Sequence, residues 1–296
     1  MVKVVVAGGS GNVAREPVDE LAIDGVKCVQ VDYLHKTSLV DALRGTDVVL
    51  CFFASTDQSG VVQKQKVLID ACIEAGVRRF APSEWASGDN EGIPHYAFKS
   101  EIRKYLNDIN RNQKVLEYTL FQPGLFTNYF GFPHATTKHF SMSQWFVDFE
   151  NRRAITVGNG DFPLVLSTVQ DMAGVVAEAL DYEGEWPVDG GICGSRLTLA
   201  ELIELGKTLR GNMDVESVSL DDLRAGQLKT SWCPIIDHPG IPDEHREAVS
   251  RTVMISYLKS VAERAWNVSD EWNKRLPSYR LTSVEEYLTK IWENKV

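Results

Sequence analysis

The sequence predicts an α/β protein, a doubly wound parallel sheet followed by a smaller C-terminal α+β region. Three observations predict it. An apolar, β-branched run at 3–7 flows straight into a glycine-rich turn at 8–11. Apolar strands then alternate with amphipathic helices as far as Phe121, the pattern of parallel strands joined by right-handed helical crossovers. Beyond Phe121 the alternation gives way to an aromatic, turn-rich stretch at 123–133.

Each element has its own signal. Helical spacing of Val13, Val18 and Leu21 predicts a first helix over 12–23, with Pro17 about one turn inside it, where proline kinks or delays a helix. Residues 26–32 read as a strand, and 38–43 as a short helix closed by Gly45. The unbroken apolar run 47–53 suits a strand covered on both faces. A helix over 61–75 ends at Gly76, a strand follows at 78–82, a helix at 96–110 and a strand at 116–121. Residues 155–166 read as a hairpin around Gly158-Asn159-Gly160-Asp161. Ser167 or Thr168 with Asp171 caps a helix to Leu180, and further helices are read at 199–209, 251–264 and 284–292.

Composition bounds the function. The 296 residues are 44% hydrophobic and 24% charged, as in an ordinary globular protein. The net charge of −10 argues against a nucleic-acid surface, which is usually basic. No apolar run approaches the ~20 residues of a membrane span, and no signal peptide is read before the first strand. The five cysteines have neither metal-ligand nor disulfide spacing, and read as reduced thiols of a cytoplasmic protein. His134 and His139 lack a third ligand nearby, so no metal site is expected.

The glycine turn carries the chemical signal. Gly8, Gly11 and Ala14 fall at spacing G-x-x-G-x-x-A. A strand, a glycine turn and a helix present backbone N–H groups to a pyrophosphate, so Gly8, Gly11, Asn12 and Val13 are candidate cofactor contacts. Ligands on such sheets sit beyond the carboxyl ends of the strands, which brings Asp32, Phe53 and Ser83 to the same crevice. Trp85, Phe126 and Tyr129 are candidates for lining an aromatic substrate pocket. The expected division is a dinucleotide-binding domain at 1–154 and a substrate-binding domain at 155–296, with helix 169–180 packing back on the sheet.

The run from Gln65 to Trp85 (QKVLIDACIEAGVRRFAPSEW), with Tyr96-Ala97-Phe98-Lys99, Gln122-Pro123-Gly124-Leu125-Phe126 and Leu276-Pro277-Ser278-Tyr279, resembles the NmrA-like and isoflavone-reductase-like family. These are atypical short-chain dehydrogenases. The resemblance implies a Rossmann domain, a preference for NADP(H), and a substrate pocket under the C-terminal domain. It implies that Lys99 is a general base or orients the nicotinamide ribose. Burial or a neighbouring positive charge would fit a lysine for that work. Tyr96, three residues earlier on the same helical face, is a weaker catalytic candidate.

One departure matters. The family carries a further strand between the glycine turn and the strand ending at Asp32, with a basic residue for the adenosine 2′-phosphate. Here 21–26 joins the two directly, and only Arg15 and Lys36 are near. Asp32 alone, 24 residues after Gly8, fits the ribose-binding acid of NAD(H) proteins; the resemblance instead puts it beside the adenine ring. The strand at 27–32 is expected to pair beside 2–7, giving strand order 2-1-3-4-5 and a weakened preference for NADPH.

Two functions remain open at this level. One is an NAD(P)H-dependent reductase of a small aromatic or conjugated metabolite. The other is a non-catalytic NAD(P) sensor that binds a protein partner. Gly11→Val tests the turn, because a side chain there would occupy the pyrophosphate's place. The expected outcome is loss of NADPH binding by calorimetry with an unchanged circular dichroism spectrum.

Overall fold

The computed structural model describes residues 2–9, 25–55, 57–236, 241–293 and 295. The expected first helix, with Gly11, Asn12, Val13 and Pro17, lies outside them. Four strands form a parallel sheet in the order β1 (Val4–Ala7), β2 (Val48–Cys51), β3 (Arg79–Ala81) and β4 (Glu117–Tyr118). Beyond β4 the chain continues as β5 (Leu120–Gln122), which pairs in parallel with β10 (Asp189–Gly191). Helix α1 (Lys36–Leu43) leads into β2, α2 (Gln58–Ala75) crosses from β2 to β3, and α3 (Ala97–Asn110) crosses from β3 to β4. Parallel neighbours require such crossovers.

Local chemistry sets the ends of α2. The Asp57 carboxylate accepts the Gly60 N–H at 3.0 Å, and Gly76 closes the helix with φ +75°. Because side chains alternate along a strand, β2 feeds two cores. Val49 and Cys51 pack with Leu68, Ile69 and Leu106 of α2 and α3. Val48 and Leu50 pack with Met172 and Val176 of α4 (Val169–Asp181) on the other face. A third core, around Phe146, Ile155, Leu202 and Leu288, belongs to the C-terminal elements.

Two sequence expectations are corrected. Residues 25–32 carry no ladder, so the strand expected at 27–32 does not lie beside β1. Val26 and Val29 face solvent, 43% and 58% exposed, while Val31 packs half-buried against the core of β2 and α2. The chain instead reaches the carboxyl end of β1. Asp32 turns it, its carboxylate accepting the Leu34 N–H at 2.9 Å and its carbonyl the His35 N–H at 3.0 Å. The Tyr33 ring then packs on Phe53, with centroids 4.5 Å apart.

The second correction concerns the expected hairpin. Strands β8 (Arg153–Val157) and β9 (Pro163–Ser167) form but do not pair with each other. β8 lies between β7 (Val147–Asp148) and β12 (Asp214–Val218). β9 lies between β6 (Leu125–Phe126) and β11 (Ser195–Thr198). The intervening turn is bonded outward, Gly158 N–H to Val218 and Leu199 N–H to the Phe162 carbonyl. Long-range partners therefore decided the pairing. The remaining helices are α5 (Leu199–Arg210), α6 (Leu220–Arg224), α7 (Asp243–Ala262), α8 (Glu271–Arg275) and α9 (Val284–Trp292). Among the described residues no helix is long and apolar enough to cross a membrane.

Arg79 locks the sheet to α4. Its buried guanidinium bonds Glu117 at 2.7 Å and the carbonyls of Tyr182 and Gly184 at 2.8 and 2.6 Å. It also lies 5.1 Å from the Trp186 ring centroid. Removing one partner of a buried pair leaves the other uncompensated, so Arg79→Met should lower unfolding free energy by about 3–5 kcal/mol. Urea denaturation checks this, and Lys114→Ala, at an exposed pair to the same Glu117, should cost under about 1 kcal/mol.

Candidate active site

The carboxyl ends of β1, β2 and β3 converge. Gly8 ends β1 at φ +80°, and a Cβ there would meet the Phe52 carbonyl oxygen at 3.1 Å, so the close passage of β2 requires glycine. The Gly8 N–H donates to the Tyr33 hydroxyl at 3.2 Å. Phe53 follows β2, and its carbonyl accepts the Ser83 hydroxyl at 2.7 Å. The Ser83 N–H donates to Gln65 Oε1 at 2.8 Å. Gly8, Phe53 and Ser83 are thus brought together as the sequence predicts. Asp32 stands apart from this chain of bonds, on an exposed turn.

Lys99 enters from the first turn of α3. It is 6% exposed, and its Nζ donates to the main-chain carbonyl of Glu84, in the loop after β3. The Tyr96 ring face lies 4.1 Å from Nζ. Burial pushes the Lys99 ammonium down to about 8; the Glu84 carboxylate pulls it up, and the Arg103 guanidinium adds to the fall. The amine therefore exchanges a proton near neutral pH, which an exposed lysine does not do.

Glu84 is 1% exposed and its carboxylate is held by Arg103 through two bonds, at 2.9 and 2.6 Å. Tyr96 and His95, in the 3₁₀ turn Pro94–Tyr96, both reach the Tyr257 hydroxyl of α7 at 3.3 Å. Burial raises the Tyr96 phenol, so it stays protonated at neutral pH. Burial, with the Lys99 charge beside it, lowers His95 to about 4, so the imidazole is neutral there.

An aromatic wall continues from this point. Tyr257 packs on Trp145, Trp145 on Tyr129, and Tyr129 on Phe140 and Phe126, with centroids 4.6 to 6.3 Å apart. Phe126 and Tyr129 fall in this wall, but Trp85 does not. Trp85 is stacked between Phe52 and Phe121 at 4.2 and 5.5 Å, and its indole N–H donates to the Cys51 carbonyl at 2.7 Å. It is a wedge in the sheet, with φ +49° imposed by those contacts. Sequence reasoning missed Tyr257, which comes from a helix about 160 residues away. It also missed Gln65 and Arg103, though Arg103 stands four residues after Lys99, on the same helical face.

The residues present fit a dinucleotide at this edge. Gly8 leaves the strand end uncovered by a side chain, and Gln65 Nε2 is buried without a hydrogen-bond partner. A parallel sheet ending in a glycine turn, with helices on both faces, defines a Rossmann-type α/β protein. The chain belongs to the NmrA-like family, whose model matches residues 5–288. It is similar to the oxidoreductase swnN of Arthroderma benhamiae, 26% identical over 331 aligned residues that cover 100% of this chain and 98% of the relative. It is also similar to the oxidoreductase aprR of Aspergillus flavus, 31% identical over 179 residues, 49% of this chain and 58% of the relative. Among solved structures, AtPrR2 with NADP+ and (+)pinoresinol matches with TM-score 0.69 and 20% identity over 98% of each chain. The NADPH-dependent quinone oxidoreductase QOR2 of Escherichia coli, complexed with NADPH, matches with TM-score 0.65 and 18% identity, covering 98% of this chain and 100% of that one. At such identities the likeness is one of fold.

The depressed Lys99 has a consequence for stability. Its pKa falls from 10.5 on unfolding to about 8 in the folded chain, so below pH 8 folding carries a penalty of about 3 kcal/mol. Between pH 8 and 10.5 the unfolded chain binds more protons, and the penalty fades as pH rises. Lys99→Met removes it at every pH. The unfolding free energy of Lys99→Met relative to wild type should therefore be larger at pH 7 than at pH 10.5 by about 3 kcal/mol, as read by urea melts at each pH.

Proposed function

We propose that the protein is an NAD(P)H-dependent reductase of a small aromatic or conjugated metabolite. The observation that carries this is the buried Lys99, held at the end of the sheet with its ammonium lowered to about 8. A structural lysine is seldom buried with its charge disfavoured, whereas an acid–base group needs a pKa near the working pH. The relatives named oxidoreductases support the reaction class. The NADP+ and NADPH complexes of the fold neighbours support NADP(H) as the favoured cofactor, with NAD(H) as the other form.

In this reading Gly8 with the glycine turn binds pyrophosphate, and Phe53 and Ser83 border the nicotinamide end. The cofactor, when bound, supplies a hydride. Lys99 Nζ moves the proton, giving it to the substrate oxygen as charge develops there. The Tyr96 ring steadies the ammonium, and its hydroxyl is bonded away to Tyr257. Tyr129 and Phe126 stack the substrate and exclude water, which suits the quinone and pinoresinol named for the fold neighbours. The assignment of 1–154 to the cofactor and 155–296 to the substrate belongs to the same proposal.

Lys99→Ala should lower turnover about 10²–10⁴-fold on a quinone or enone substrate while NADPH affinity changes little. Reduction should fall as pH rises through about 8, since the neutral amine has no proton to give. The exposed 25–30 segment, where the family places cofactor strands, favours a second reading, a non-catalytic NAD(P) sensor. NADPH binding without turnover across a panel of quinones and enones would select that one. In either case the missing basic residue predicts NADPH and NADH dissociation constants within about tenfold, equivalent to about 1.4 kcal/mol.

A further inference from the structure

We propose that Arg103 and Glu84 are a positioning pair for Lys99, which fix the loop carbonyl that holds its Nζ. Arg103 stands one turn after Lys99 on α3. Its guanidinium gathers three groups of the loop after β3: the Glu84 carboxylate at 2.6 and 2.9 Å, the Gly88 carbonyl at 2.6 Å and the Ser87 carbonyl at 3.1 Å. This loop cannot relax on its own, because Trp85 within it is held at φ +49°. It is also fixed by the Trp85 N–H on the Phe121 carbonyl at 2.9 Å, the Trp85 indole on Cys51 and the Gly88 N–H on the Ala265 carbonyl at 2.9 Å. The loop in turn receives one bond from Lys99, whose Nζ donates to the Glu84 carbonyl. Lys99 and Arg103 thus grip the same residue, one by its main chain and the other by its side chain.

The pair also sets the field at Nζ. The groups facing Lys99 are Glu84 from the loop, Arg103 from its own helix, and His95 and Tyr96 from the 3₁₀ turn, with Tyr257 of α7 behind them. Glu84 favours the charged amine and Arg103 disfavours it. The two act in opposite directions, and burial, the largest influence, sets the fall. Neither side chain is bonded to Nζ itself; Glu84 meets it only through its main-chain carbonyl. The consequence for turnover rests on the reductase reading; the geometry and the titration do not.

The test is a carbon-13 titration of the full chain with lysines labelled at Cε, the Lys99 resonance being assigned by its loss in Lys99→Met. The wild-type midpoint is expected at about 8. Arg103→Met should raise it by about one pH unit, because a repelling cation is lost and the carboxylate is left uncompensated. Glu84→Gln should lower it by about one pH unit, because the attracting charge is lost and Arg103 is not. Opposed shifts support the pair. Midpoints that stay at the wild-type value, or move the same way, overturn it. Should Arg103→Met fail to fold, Glu84→Gln decides alone, and a midpoint at or above wild type overturns the pair. With NADPH and 1,4-benzoquinone as probe, Arg103→Lys should lower kcat about tenfold at unchanged NADPH affinity, since lysine keeps the charge but loses the fork. A wild-type protein that turns nothing over sinks the reductase reading, while the titration still judges the pair.

Discussion

The burial of one ammonium group organises this site. Lys99 sits at the end of a parallel sheet, and among the described residues its ammonium meets the Glu84 main-chain carbonyl and the rings of Tyr96 and Phe98. Desolvation of that charge costs free energy, and the surroundings must hold it without cancelling the cost. Glu84 supplies the carbonyl but has its carboxylate turned away to Arg103. A direct carboxylate partner would make an ordinary ion pair and return the lysine to its full charge. The separation of Glu84's main chain from its side chain is what keeps Lys99 titratable.

The sheet provides the rigidity this arrangement needs. Ser83, Glu84 and Trp85 leave β3 in sequence, and each is tied to a different neighbour. Ser83 is bonded to Phe53 and Gln65, and Trp85 to Cys51 and Phe121. The loop is therefore coupled to β2, α2 and β5 as well as to α3. Helix α7 closes the far side through the Tyr257 hydroxyl and ring, and the Trp266 ring and the Ala265 carbonyl add contacts from the segment after it. A site assembled this way has a preorganised polar end and an adaptable aromatic wall, a division common to small-molecule sites.

The cofactor edge is built differently from the rest. β1 is joined to β2 alone among the described strands, and the chain meets it end-on through Tyr33 rather than side-on through a further strand. Val26 and Val29 remain exposed in consequence.

Much of this was legible in the chain itself. The alternation of β-branched runs with helical spacing, the Thr168 cap and the Gly76 stop are local, and local geometry follows from them directly. The resemblance of 65–99 singled out Lys99, and the order of strands placed Phe53 and Ser83 at the same end. The order of β1 to β4 follows the expected one, but the remaining pairings and the side-chain partnerships were not legible, because they depend on residues far apart in sequence. The 155–166 segment has the turn chemistry of a hairpin, yet its strands found better partners in β11 and β12. The 26–32 segment has the composition of a strand, yet no ladder forms there. Trp85 reads as a pocket residue and is a core wedge, since an indole gains most where its ring is stacked and its N–H is bonded. The sequence by itself determined most of the helices and strands of the parallel sheet and which lysine to suspect. Only the tertiary structure decided that this lysine is dry, because burial is a property of everything packed around a residue and of nothing beside it in the chain.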